Sequence, residues 1–273
     1  MRLEVLHAPA RGAPRPSAVL FVHGICCGAE IWRPRFLQHF ADAGFDSYAV
    51  SLRGHGASEG RGALAWTTLN DYAADLERTI ARIDKPVAIV GHSMGGAVLQ
   101  EHLRRGGRPA ASVLMNSVPP YGLGAASMRL LFNAPGAWGN LAMANAFGFG
   151  VVDIARLQDV LAGPNVDPEA FRGFVAAAGA ESPLVGFELQ GWRPFAPEPW
   201  RTGQLPPLMV IGGSKDGLVP VSDLNATGAY YDAPVTVLEG VGHLPMIEPD
   251  WTNAADPIID WLAGQAAGAR AAA

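Results

Sequence analysis

Short unbroken apolar runs alternate along this chain with longer stretches in which apolar positions recur every three or four residues. The runs are Ser17–His23 (Ser-Ala-Val-Leu-Phe-Val-His), Phe45–Val50, Val87–Val90, Ser112–Met115, Pro207–Ile211 and Val235–Leu238. Their length suits strands, and the lack of strict polar–apolar alternation suits strands buried on both faces. Between them lies a helical pattern around Ile31–Ala43 and a clearer one over Leu69–Ile83. In the latter, Leu69, Tyr72, Ala73, Leu76, Ile80 and Ile83 form one stripe, with Thr68 or Asn70 available to cap its start. Ala97–Leu103 predicts another helix, and Ile258, Ile259, Trp261 and Leu262 a closing one, whereas the Ala/Gly-rich end from Ala263 to Ala273 reads as frayed. Regular β–α alternation of this kind predicts a mostly parallel sheet covered by helices on both faces. Ligands bind such sheets beyond the carboxyl ends of the strands.

The rhythm fails between Pro119 and Trp200, where no buried strand is legible. Met128, Leu131, Phe132, Trp138, Leu141, Met143, Phe147, Phe149, Leu157, Leu161, Phe171 and Phe174 instead carry helical spacing. About eighty residues between two strands are too many for a plain loop and too few for a comfortable separate domain. The segment predicts a helical cap over the strand ends, against the plainer alternative of more α/β core. The expected division is one catalytic domain: core over 1–118, cap over 119–203 and core again over 204–273. No internal repeat is present.

Composition narrows the function classes. The chain has 273 residues, 49% of them hydrophobic and 16% charged, enough to bury one large core. Its formal charge of −5 and the absence of any Lys/Arg cluster beyond pairs such as Arg104-Arg105 argue against nucleic acid or anionic membrane as partner. Nowhere do about 18 apolar residues run together, so no membrane span is expected. The N-terminal Met1-Arg2-Leu3-Glu4-Val5-Leu6-His7 lacks a signal-peptide core. Two adjacent cysteines, Cys26 and Cys27, cannot staple distant segments, so a reduced, cytoplasmic setting is the expectation. No Cys or His pair stands near them at ligand spacing, so no metal is expected.

The chemistry gathers where predicted strands end. Gly91-His92-Ser93-Met94-Gly95 lies between an apolar run and the helical Gly96–Arg105 stretch. That context raises a serine on a sharp strand-to-helix turn, with free backbone N–H groups at the helix start behind it. A Gly/Ser turn in a Gly-rich chain is the plainer alternative. A serine hydroxyl needs a base, and seven histidines are on offer. His7 lies near the terminus, His39 and His102 read as solvated helix positions, His92 points away from its neighbour serine, and His55 and His23 read as loop braces. His243, in Gly240-Val241-Gly242-His243-Leu244-Pro245 after the last strand, is left as general base. Its orienting carboxylate is expected from Asp216, in Gly212-Gly213-Ser214-Lys215-Asp216-Gly217. Asp223, which reads as a helix cap, and Asp232 are the rivals. The order Ser93, Asp216, His243 is the one this triad takes on a doubly covered parallel sheet. Two N–H donors should meet a developing oxyanion: Met94, and Ile25 in the loop after His23-Gly24, with Cys26 as the alternative. Cys26, Trp138, Phe147 and Leu218 are the expected substrate-contacting positions.

Together these residues resemble the α/β-hydrolase family, from about Val19 to the end of the chain. Leu52-Arg53-Gly54-His55-Gly56-Ala57-Ser58-Glu59-Gly60 is similar to its monoacylglycerol lipase/esterase branch, also grouped with serine aminopeptidase-like hydrolases. The resemblance implies an α/β-hydrolase fold with a seven- or eight-stranded sheet. Only a short segment precedes the first core strand, so the usual N-terminal hairpin should be abbreviated. A serine, not an aspartate, at the nucleophile position speaks against epoxide hydrolase and haloalkane dehalogenase chemistry. The expected function is hydrolysis of a small-molecule carboxylic ester with a hydrophobic acyl or alcohol part of small to medium size, with no cofactor. An acyltransferase, an amidase or aminopeptidase, or a carbon–carbon bond hydrolase would use the same triad; a ligand receptor or pseudoenzyme would keep only the fold. A homodimer is open.

Overall fold

The computed structural model describes residues 1–147, 151–192 and 205–271, with 145–147 and 266–271 described by backbone alone. Among them one sheet forms from β1 (Val5–Ala8), β2 (Ala18–Val22), β3 (Ser47–Val50), β4 (Val87–His92), β5 (Ala111–Met115), β6 (Leu208–Gly213) and β7 (Val235–Leu238). The spatial order is β1-β3-β2-β4-β5-β6-β7. Every neighbouring pair is parallel except β1 with β3, where Val5 lies opposite Val50. The segment before β2 therefore contributes one antiparallel edge strand, and the sheet has seven strands among the described residues.

The core helices are α1 (Phe36–Asp42), α2 (Leu69–Ile80) and α3 (Met94–Arg104). Among the described residues, five more lie in the insertion after β5: α4 (Gly124–Asn133), α5 (Pro135–Phe147), α6 (Ile154–Leu161), α7 (Pro168–Ala177) and α8 (Pro183–Glu188). The core resumes with α9 (Val221–Tyr231) and α10 (Thr252–Ala271). Successive side chains of a strand point to opposite faces. Accordingly Val19 and Phe21 of β2 pack with Phe36 and Phe40 of α1 and Ile258 of α10, while Leu20 and Val22 pack with Leu76 of α2, Leu99 of α3 and Leu224 of α9. Strands this largely apolar, with Ser47 and Ser112 the small buried exceptions, are what two-sided cover favours.

Local chemistry sets the element ends. Thr68, not Asn70, caps α2: its hydroxyl accepts from Asp71 N–H while the Asp71 carboxylate accepts from Thr68 N–H. The pattern around Ile31–Ala43 divides into a 3-10 turn at Ala29–Trp32 and then α1. The stretch after Ala263, read as frayed, continues α10 as far as Ala271, in keeping with the high helix propensity of alanine. His102, read as solvated, is buried on α3 with Nδ1 3.5 Å from Glu77 Oε1. In the insertion, Asp153, Asp167 and Ser182 cap α6, α7 and α8 through side-chain oxygens, and Pro168 and Pro183 follow their caps directly. The expected boundary at 203/204 lies outside the described residues. Among the described residues, no helix is long and apolar enough to cross a membrane.

From β2 the chain crosses to β3 on one side, and from β3 it returns to β4 on the other. The loops after β2 and β4 therefore diverge at the carboxyl end of the sheet, leaving a crevice at the switch in strand order. Residues 24–27 and Ser93 flank that crevice.

Candidate active site

β4 ends at His92 and α3 begins at Met94, so Ser93 alone makes the turn. Its φ of 54° and ψ of −117° are sparsely populated for a residue with a side chain and cost about 1–3 kcal/mol. The conformation is held from outside: Ser93 N–H donates to Met115 O at 3.1 Å, and Val118 N–H donates to Ser93 O at 3.2 Å. Close approach explains the flanking glycines. A Cβ on Gly95 would stand 2.3 Å from Val22 O, and one on Gly91 would stand 2.5 Å from Gly95 O, both backbone atoms that cannot swing aside.

The loops after β6 and β7 deliver two partners to this serine. His243 Nε2 lies 2.9 Å from Ser93 Oγ, and His243 Nδ1 lies 2.7 Å from Asp216 Oδ2. All three residues are buried. Asp216 can only accept as a carboxylate, so Nδ1 carries hydrogen and Nε2 is the lone pair facing the hydroxyl. Asp216 is fixed in turn by Leu218 N–H and Val219 N–H on Oδ1, each at 2.8 Å, and by Asn116 Nδ2 on Oδ2 at 2.8 Å. The rival Asp223 sits in the first turn of α9 without capping it, the capping position being Pro220, and its carboxylate instead meets Tyr121 and Arg129 of the insertion at 3.4 Å each.

The histidines divide as their surroundings dictate. His23 Nδ1–H donates to Gly24 O at 2.8 Å while Nε2 accepts from Leu52 N–H at 3.0 Å, which fixes a neutral ring. Burial, reinforced by the neighbouring His55, pulls its pKa down to about 3. His92 turns from the serine and donates through Nε2 to His243 O at 2.8 Å; burial and the nearby His243 pull its pKa down to about 3 as well. His55 is different. Its Nδ1 meets Arg53 O at 3.1 Å and its Nε2 meets Glu181 Oε2 at 3.1 Å, two acceptors that require both nitrogens to be protonated. Burial alone would lower its pKa, but the hydrogen bond and charge of Glu181 outweigh it and hold it above the usual histidine value.

Ser93 opens into a cavity of about 810 Å³ beneath α4, α5 and α8. Ile25, Cys26, Trp138 and Leu218 line it, and the Phe147 side chain lies outside the described residues. Its walls are apolar and carry no charged side chain among the described residues; the polar exceptions are Ser93, Ser127 and Gln190. Cys26 and Cys27 are both free thiols. Met94 N–H, at the first position of α3, belongs to the helix donors that have no intrahelical partner. Cys26 N–H, the alternative donor, is already taken by Glu181 Oε2 at 3.2 Å.

Three polar groups at this site escaped sequence reasoning: Asn116, Glu181 and Glu248. Asn116 follows β5 directly and has φ of 44°, a conformation asparagine tolerates better than most residues, so a strand-end Asn was the available signal. Glu248 Oε1 accepts from Gly242 N–H at 2.9 Å and Gly163 N–H at 2.8 Å, tying the His243 loop to the insertion. Glu181 is a lone acid in Ala178-Gly179-Ala180-Glu181-Ser182-Pro183, and only its isolation in an apolar stretch marks it.

A family model described as the alpha/beta hydrolase family matches residues 19–255. A monoacylglycerol lipase from Mycolicibacterium smegmatis is 29% identical over 242 residues, 82% of this chain and 80% of that protein. A non-heme chloroperoxidase from Kitasatospora aureofaciens is 33% identical over 114 residues, 40% of this chain, so the match spans 39% of that relative's length. A thermophilic esterase from Thermogutta terrifontis, solved with malate bound, superposes with a TM-score of 0.69 at 22% identity, covering 96% of this chain and 93% of that one. At that identity the likeness concerns the fold.

Proposed function

The chain belongs to the alpha/beta hydrolase family, and from that premise we propose that it is a serine hydrolase of neutral carboxylic esters with a hydrophobic acyl or alcohol part. The observation that carries the reading is the His243 bridge, 2.9 Å from Ser93 Oγ and 2.7 Å from Asp216, behind a serine that lines an apolar cavity of about 810 Å³. Cavities of roughly 300–1,000 Å³ suit small-molecule ligands. Walls without charge offer nothing to a charged substrate and leave an apolar chain well desolvated. The monoacylglycerol lipase relative supports the same class.

Ser93 Oγ bonds to the acyl carbon as its proton passes to His243 Nε2. The carbonyl π electrons move onto oxygen, which Met94 N–H and Ile25 N–H receive. Asp216 stabilises the imidazolium through Nδ1–H. Collapse of the adduct breaks the bond to the alkoxide oxygen, which takes the proton from Nε2 and leaves as the alcohol. Water then gives a proton to Nε2 and attacks the acyl-enzyme, and the second collapse returns the proton to Ser93 and frees the acid.

A series of p-nitrophenyl esters of increasing acyl length tests the reading. Ser93→Ala and His243→Ala should each lower kcat by about 10⁴–10⁶-fold with the fold intact by circular dichroism, and fluorophosphonate labelling should vanish in Ser93→Ala. Wild-type activity in either variant removes that residue from the mechanism. The chloroperoxidase relative favours a second reading, in which hydrogen peroxide replaces water at the acyl-enzyme; halide oxidation dependent on added ester and on Ser93 would select it.

A further inference from the structure

The insertion carries a buried carboxylate that the reaction does not consume. The Glu181 side chain is 0% exposed and faces four donors. Cys26 N–H and His55 Nε2 meet Oε2 at 3.2 and 3.1 Å; Tyr72 OH and Ser182 N–H meet Oε1 at 2.5 and 2.8 Å. A buried charge is tolerated only when paired and fully hydrogen-bonded, and this one is.

What the carboxylate grips matters more than how it is satisfied. Residues 24–27 make a turn closed by Cys27 N–H to Gly24 O at 3.3 Å, and Cys26 within it has φ of 62°. A left-handed non-glycine residue of that kind persists only where its surroundings hold it. Both backbone polar groups of Cys26 are held by the insertion: its N–H by Glu181, its carbonyl by Gly179 N–H at 2.7 Å. With Cys26 N–H turned to Glu181, Ile25 N–H is the donor this turn has left for the crevice.

We infer that Glu181, braced by His55 and Tyr72, is a positioning residue that fixes the 24–27 turn so that Ile25 N–H, and not Cys26 N–H, meets the developing oxyanion. The inference rests on the ester-hydrolase reading, in which an oxyanion forms beside Ser93. A group that acts through the oxyanion donor affects the transition state and leaves ground-state binding nearly alone. Glu181→Gln keeps the shape but turns an amide N–H₂ toward one pair of donors. Tyr72→Phe removes one brace and leaves the carboxylate.

The experiment measures kcat and KM on a p-nitrophenyl ester, together with binding of an alkyl boronic acid, which forms a tetrahedral adduct on a serine, and of a neutral alkanol of the same chain length, which fills the cavity without an oxyanion. Glu181→Gln should lower kcat about 10–100-fold and Tyr72→Phe about three- to tenfold, with KM within about twofold. Boronate affinity should fall by a factor similar to kcat/KM, and alkanol affinity should hold. Folded Glu181→Gln with wild-type kcat overturns the inference, as does an equal loss of boronate and alkanol affinity, which marks a general structural tie. Should Glu181→Gln not fold, Tyr72→Phe decides by the same two criteria. An inactive wild type with every ester tested defeats the hydrolase reading itself, a distinct outcome.

Discussion

The two halves of the insertion meet the core on opposite terms. Helices α4 and α5 present Met128 (51% exposed) and Trp138 (38%) to the cavity and leave Phe132 (75%) and Met143 (43%) exposed outside it. Their ties to the core are sparse, such as Arg129 to Asp223 at 3.4 Å, with the arginine side chain well exposed. Helices α6 to α8 and their connections bury Leu157, Leu161, Phe171 and Val185. They also spend their polar groups on the machinery below. Leu161 O accepts from His243 N–H at 2.8 Å, Val160 O accepts from Gly217 N–H beside Asp216 at 3.0 Å, and Gly179 and Glu181 hold Cys26. One half is a wall against which a substrate could lie. The other is a buttress, and buried polar ties make a buttress costly to alter, because each broken one strands its partner.

The sharpest way to break this comparison is to strike the buttress where it touches the His243 loop. A Cβ on Gly242 would lie 2.4 Å from Gly163 N and 2.5 Å from Ala162 C, so Gly242→Ala must push the loop and the insertion apart. A displacement of about 1 Å at a reacting group costs on the order of 100-fold in rate. Gly242→Ala should therefore lower kcat at least that much in the ester assay; retained activity would mean the insertion yields without moving His243. Next in size is Glu248→Ala, which leaves Gly163 N–H and Gly242 N–H without their shared acceptor. At about 1–3 kcal/mol for each stranded group, the thermal midpoint should drop by several degrees, read by calorimetry.

The wall should answer differently. Trp138→Ala widens the cavity without freeing any buried polar group, so stability should change by no more than about 0.5–1 kcal/mol. The ratio of kcat/KM for long over short acyl esters should instead shift about tenfold, the scale set by one or two methylenes in an apolar pocket. An unchanged ratio across the p-nitrophenyl series would detach α5 from substrate choice.

This division was only half legible in the sequence. Unbroken apolar runs located the six parallel strands, because a strand covered on both faces has no polar position to spare. The glycines around Ser93, the strand-end loops carrying Asp216 and His243, and the Ile25 turn were legible because close approach and a tight bend restrict which residues can occupy those places. Apolar helical spacing located the insertion but could not divide it, since Trp138 on the wall and Phe171 in the buttress look alike in a pattern of large apolar residues. Burial separates them, and burial is set by contacts distant in sequence. Glu181, Glu248 and Asn116 escaped for the same reason: each acquires meaning from a partner far along the chain, as Glu181 does from Cys26 and Asn116 from Asp216. The capping pairs Asp167-Pro168 and Ser182-Pro183 were readable signals for the starts of α7 and α8.

The smallest expected effect concerns the charge state of the buttress. Burial would raise the Glu181 pKa, but the hydrogen bond and charge of His55, with Tyr72 and Ser182 N–H, hold it below the usual glutamate value; His55 is held above its own. A lowered carboxylate contributes stability that is present above its unfolded pKa and is lost as pH falls through the folded one. A raised histidine contributes stability that is complete below its unfolded pKa and is lost as pH rises through the folded one. The pair is therefore worth most between about pH 4.5 and 6.5, the two unfolded values. In Glu181→Gln the partner charge is gone, and burial leaves His55 neutral, so that variant gains stability as pH rises toward about 6.5. The gap in thermal midpoint between wild type and Glu181→Gln should accordingly be widest near pH 5 and narrow steadily toward about pH 8. Substitutions on the wall, such as Trp138→Ala, touch no titrating pair and should show a gap that is flat over the same range. A Glu181→Gln gap that stayed flat from pH 5 to 8 would mean His55 is neutral beside the carboxylate, because a ring neutral in both proteins titrates alike in both, and the buttress would then stand on shape and neutral hydrogen bonds alone.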